Sequence, residues 1–120
     1  MANTESTLLS GLAEAGQELF TRALARYLAD LTAMAEAERL ERYPNNLPKS
    51  YTAMEGKRYL RIVGADVGGP SRWAHSFIDR KNGDVYKPAG WKGPAKGARG
   101  NIFSYDKIHE VAGTACANYR

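Results

Sequence analysis

Between Thr4 and Arg42 the chain carries no proline, and Leu8, Leu12, Ala15, Leu19, Ala23, Tyr27, Leu31 and Ala35 fall three or four positions apart, with Leu9, Phe20 and Leu28 widening the stripe. This spacing predicts one long amphipathic helix, or two with a bend. Thr4 or Ser6 is placed to cap its start. Tyr43-Pro44-Asn45-Asn46-Leu47-Pro48 ends it, because each proline disfavours helical geometry in the residue before it. About 36 residues at about 1.5 Å each reach roughly 54 Å, more than the diameter of a 120-residue globule. The helix is therefore expected either to break, near Thr32, or to lay part of its length on another subunit.

After the prolines the hydrophobic period changes from 3.6 to 2. Tyr59-Leu60-Arg61-Ile62-Val63 alternates, and Trp73 to Asp79 alternates so that Trp73, His75, Phe77 and Asp79 are expected on one strand face. Gly64 to Pro70 reads as the turn between these strands. Asn82-Gly83, before Asp84-Val85-Tyr86-Lys87, supplies the positive φ angles of a tight hairpin. The glycines and prolines of residues 88–101 predict a loop, and Ser104 is placed to cap a short final helix from Tyr105 to about Val111. The expected fold is α+β: a long N-terminal helix, or two, on a small antiparallel sheet, with a basic glycine-rich loop and a short C-terminal helix. One domain spans 1–120, with 1–43 helical and 57–120 carrying the sheet and the binding loop.

Charge is divided unevenly along this plan. Residues 1–43 hold seven acidic and four basic side chains, a net −3, whereas residues 44–120 hold 13 basic and six acidic, a net +7. Such segregation favours an anionic partner. No acidic residue stands between Asp84 and Asp106, yet Lys87, Lys92, Lys96 and Arg99 recur at intervals of three to five. Cations among small residues let side chains and backbone amides converge on phosphate oxygens, and Trp91 and Tyr86 offer flat surfaces for a base. The competing reading is a solvated loop whose aromatics fill the core. Ordering so long a basic loop favours the ligand.

Other chemistries have little support. No lysine-serine or lysine-threonine pair follows a glycine as a nucleotide-hydrolysing loop requires, and Gly64 to Gly69 does not match a dinucleotide fingerprint. His109-Glu110 lacks the second histidine of a zinc helix, so no metal site and no cofactor is expected. Cys116 is the single cysteine, which excludes an intrachain disulfide and fits a reducing compartment. His75 reads as a hydrogen-bonded core residue or a ligand contact, and Asp79 and Asp84 as carboxylates satisfying turn amides. The N-terminus shows no secretory pattern, and no apolar run approaches the roughly 20 residues of a membrane span. A soluble, unsecreted, non-catalytic binder is expected.

The stretch from Phe77 to Phe103 brings Phe77-Ile78-Asp79, Asn82-Gly83-Asp84-Val85-Tyr86-Lys87, Trp91-Lys92, Pro94-Ala95-Lys96 and Arg99-Gly100-Asn101 together in one run. In this block the chain resembles a family of small phage proteins, the first-described Thoeris anti-defence sponges. The long N-terminal helix followed by a short sheet is similar as well. Gly90 and Gly97 stand where that family carries larger residues, and Gly113 to Arg120 departs from its ending. The resemblance implies sequestration without cleavage of cyclic signalling nucleotides, glycocyclic ADP-ribose or cyclic di- and trinucleotides, in the cytoplasm of the infected bacterial host, by a dimer or hexamer. It further implies that Phe77 stacks on a base, that Asn82 or Asn101 bonds a base or ribose edge, and that Lys87, Lys96 and Arg99 neutralise phosphate. Arg22 or Arg26 would reach in from a neighbouring subunit, and Arg61 and His75 would serve a second pocket. A single-stranded nucleic-acid binder uses the same basic, aromatic surface and is the alternative. A small structural or inhibitory phage protein that acts through protein contacts is a third.

Overall fold

The computed structural model describes the backbone of residues 4–118 and the side chains of residues 15–118. One unbroken helix, α1 (Thr4–Arg42), leads into a sheet of β1 (Lys49–Met54), β2 (Tyr59–Asp66), β3 (Arg72–Asp79), β4 (Asp84–Pro88) and β5 (Pro94–Asn101). The strands are antiparallel, and their order in space is their order in the chain. The architecture is α+β, with the helix on one face of an open meander.

The helix does not break at Thr32. Thr32 Oγ1 donates to the Leu28 carbonyl at 2.9 Å, a back-bond that a helix accommodates within its own ladder. The 39 residues of α1 at about 1.5 Å each make about 58 Å, and the molecule measures 64 × 28 × 27 Å. The sheet meets only part of that length. Tyr27, Leu31 and Ala35, one turn apart, are buried, while residues 15–19 are exposed, Leu19 among them. The cap at Thr4 or Ser6 and the stripe positions Leu8, Leu9 and Leu12 concern side chains outside the described residues.

The core lies between α1 and the inner sheet face. Ala53 pairs with Ile62, and Leu60, Ile78, Val85 and Gly100 form a row across β2 to β5. Tyr27 and Leu31 pack on these residues together with Ile102, Tyr105 and Val111. The expectation that Trp73, His75, Phe77 and Asp79 share a face is wrong, because β3 carries a bulge. Ile62 pairs with Ser76 while Val63 pairs with Ala74, so His75 is an extra residue and the alternation reverses across it. Trp73 and His75 stay on the core side beside Tyr51. Phe77 turns to the outer face, beneath Arg61.

Three further expectations need correction. Residues 88–101 are not all loop, since Pro94–Asn101 form β5. The glycine there serves packing: a Cβ on Gly100 would lie 2.8 Å from Val111 Cγ1. The final helix is only a 3-10 turn, Ile108–Glu110, whose cap position is Lys107 rather than Ser104. The connection from β3 to β4 is longer than a two-residue hairpin. Only Gly83 takes a positive φ there, +81°, and Asn82 does not. Its amide bonds Asp79 O at 2.8 Å, closing a wider turn. The edge strand β1, Lys49–Met54, lies between the expected helical segment 1–43 and the expected sheet segment 57–120, where no element was expected.

Candidate functional site on the outer face of the sheet

Opposite the helix, the register aligns Met54, Arg61, Phe77, Tyr86 and Ala98 in one row across all five strands. Phe77 is 3% exposed although no helix covers this face. Arg61 lies over it, with the guanidinium carbon 5.8 Å from the Phe77 ring centroid and 4.7 Å from that of Trp91, and Tyr86 flanks it in the row. Arg61 Nε donates to the Trp91 carbonyl at 2.6 Å, and Arg72 approaches the same indole at 5.3 Å. Trp91 belongs to the connection between β4 and β5, so that connection folds back over the sheet. Tyr59 and Tyr86 meet edge to face, 5.8 Å between centroids.

Beside this stack is a concavity of about 170 Å³ lined by Lys57, Arg58, Arg61 and Lys92, with Tyr59 and Phe77 among its walls and Glu55 as its carboxylate. Arg58 is 3.6 Å from the buried Asp79 carboxylate. Among the described residues no carboxylate lies within 4.0 Å of Lys57, Arg61, Arg72 or Lys92. Unpaired cations converging on an aromatic-walled hollow concentrate positive potential where an anion can sit against flat surfaces.

The structure brings together Arg61, Phe77 and Trp91 and places the other expected site residues elsewhere. Lys96 and Arg99 stand on the edge strand β5 and do not line the concavity; Arg99 Nε is buried with no partner among the described residues. The basic stretch therefore does not close as a loop around a cavity. Lys87 is half-buried on β4. Asn82 Oδ1 accepts from the Asp84 amide at 2.9 Å. Asn101 Nδ2 donates to Asn82 O and to Asp84 Oδ1 at 2.8 and 2.9 Å, and Asn101 Oδ1 accepts from the Phe103 amide. The Asn82 side chain thus braces the β3–β4 turn itself, and the Asn101 side chain ties that turn to the end of β5. Arg22 pairs with Glu18, while Arg26 lies 4.2 Å over the Tyr105 ring and donates to Asp106 O.

His75 is fully buried behind the sheet. Nε2 is 2.7 Å from the Gly113 carbonyl, which only accepts, so this nitrogen carries the proton. Burial holds the imidazole down at about 4, below its ordinary 6.5, so Nδ1 is bare at neutral pH. Nδ1 then accepts from Ser76 Oγ–H at 2.9 Å, and Ser76 Oγ accepts from the Tyr27 hydroxyl at 2.9 Å. Burial also pushes the Tyr27 phenol upward, keeping it a donor. The closing segment is held again by Ala117 N to His75 O, Tyr51 Oη to Thr114 O, and Thr114 Oγ1 to Glu38. His75 is a structural member of the core and does not face the concavity.

Sequence reasoning missed Lys57, Arg58, Tyr59 and Arg72 as members of this surface. A period-2 reading continued from Arg61 back to Tyr59 would have placed Tyr59 on the outer face, whereas the same reading from Phe77 back to Arg72 puts Arg72 on the opposite face, because the bulge at His75 is invisible to it. The convergence of Lys57 and Arg58 depends on the β1–β2 turn, and β1 was not recognised. Two larger hollows, about 690 Å³ along α1 between Gly16 and Leu24 and about 550 Å³ beside Cys116, contain none of the expected site residues. No helix among the described residues is long and apolar enough to cross a membrane.

Comparison with curated proteins and with solved structures gives no significant match. The model of a family of unknown function, DUF7717, matches residues 6–117, and the chain belongs to that family.

Proposed function

We propose that the protein binds a small phosphate-bearing ligand of the nucleotide class on the outer sheet face and holds it without turnover. The supporting observation is the ring of Lys57, Arg58, Arg61 and Lys92 around an aromatic wall of Tyr59 and Phe77, in which Arg58 pairs with the buried Asp79 and Glu55 is the lining carboxylate. Cations supply charge-assisted contacts to phosphate, and aromatic faces stack on bases at about 1–3 kcal/mol each. The resemblance of residues 77–103 gives the proposal its specific form, a phage anti-defence sponge for cyclic signalling nucleotides in the host cytoplasm. The length of α1 beyond the sheet supplies the surface for a homo-oligomer.

A thermal-shift panel of cyclic dinucleotides, cyclic trinucleotides, cyclic ADP-ribose forms and oligo-dT tests the proposal. A bound cyclic nucleotide at 100 times its dissociation constant should add about 2.7 kcal/mol of apparent stability. That gain should disappear in the Arg61→Gln, Lys92→Ala double variant, and heat denaturation should release the nucleotide intact. Stabilisation by oligo-dT alone, falling steeply with salt, would replace this reading with single-stranded nucleic-acid binding. Recovery of a cleaved product would replace it with catalysis.

A further inference from the structure

We infer that the β4–β5 connection, residues 89–93, is a strap that must lift before the outer-face site can take its ligand; the inference rests on the nucleotide reading above. The first observation is size. Small-molecule pockets span roughly 300–1,000 Å³, and this concavity holds about 170 Å³, room for a phosphate group but not for the base and sugar attached to it. The second is cover. Phe77, the aromatic wall on which a base would stack, is 3% exposed, shielded by an Arg61 that is itself clasped by the strap through Trp91 O and the Trp91 ring.

The strap is lightly held. Trp91 is 41% exposed, and its fastenings are the Arg61 hydrogen bond and the contacts of Arg61 and Arg72 with its ring. The strap closes on itself through Ala89 N to Gly93 O at 3.0 Å. A Cβ at Gly90 or Gly93 would meet nothing within 4 Å, so neither position of the strap is packed against a neighbour. Lifting Trp91 releases Arg61, uncovers Phe77 and merges the strap's footprint with the hollow beside it. A ligand that binds only the lifted form draws the population toward it, and its apparent affinity is reduced by the fraction of time the strap is down.

The test uses Trp73→Phe protein, in which Trp91 is the remaining tryptophan of two, with and without Arg72→Gln. Without ligand, Arg72→Gln should red-shift Trp91 emission and raise its acrylamide quenching about twofold. With cyclic di-AMP as probe, saturation should raise Trp91 quenching in the parent, and Arg72→Gln should bind the probe several-fold more tightly. Unchanged quenching in Arg72→Gln, or equal or weaker probe affinity, overturns the strap. Binding of no cyclic nucleotide of the thermal-shift panel by either protein overturns the nucleotide reading and the strap's role with it, whereas binding by Arg72→Gln alone is the strongest form of the expected result.

Discussion

His75 shows how one side chain can be decided by its surroundings. It was expected to be either a core residue or a ligand contact, and the donor logic from Gly113 through Ser76 to Tyr27 makes it a neutral member of the core. Its folded value, about 4, lies below the unfolded 6.5, so between those pH values the unfolded chain binds more protons and stability must rise with pH. Stability present at pH 7 should fall as the pH drops from 6.5 toward 4, by roughly 3 kcal/mol at about 1.4 kcal/mol per unit. Urea midpoints across that range would show it, and His75→Gln should flatten the slope while lowering the plateau. Tyr27→Phe removes the donor to Ser76 Oγ and should cost about 1–2 kcal/mol at pH 7, measurable in the same titrations.

At the scale of elements, α1 contributes its stability through the inner quarter-turns that face the sheet. Leu31 is fully buried, and Leu31→Ala should cost about 2–5 kcal/mol, whereas Leu19→Ala, at a position 59% exposed, should move the denaturation midpoint little. Strand β5 depends on the absence of a side chain at Gly100, and Gly100→Ala should cost about 1–3 kcal/mol by forcing Val111 aside. These two elements also mark what was legible in the sequence. The helix was legible because its apolar period repeats over many turns, and β2 and β3 because alternating residues announce a two-sided sheet. Strand β5 was not, because Ala95, Gly97, Ala98 and Gly100 have low strand propensity and are held by pairing with β4. The facing of Phe77 was hidden for a related reason: a bulge at His75 leaves no mark in a period-2 pattern. The candidate site was legible only in part, through Arg61, Phe77 and Trp91, since Lys57 and Arg58 reach it through a turn whose first strand carries a weak signal.

The whole molecule is longer than its residue number requires. Its radius of gyration, 16.5 Å, exceeds the roughly 14 Å of a compact chain of this size, and the difference is the portion of α1 beyond the sheet. Removing residues 1–18 should leave the core intact, with little change in melting temperature, and bring the scattering radius near the roughly 13 Å of a compact 100-residue chain. If that portion of α1 joins subunits, the same truncation should convert an oligomer to a monomer in sedimentation. The C-terminal residues play the opposite part. Ala117 is fully buried and its amide bonds His75 O at 3.1 Å, while Gly113 receives the imidazole proton. The interior therefore stays unsealed until Ala117 has docked, and an affinity tag fused directly after Ala117 would be read by the fold as an obstruction rather than an appendage.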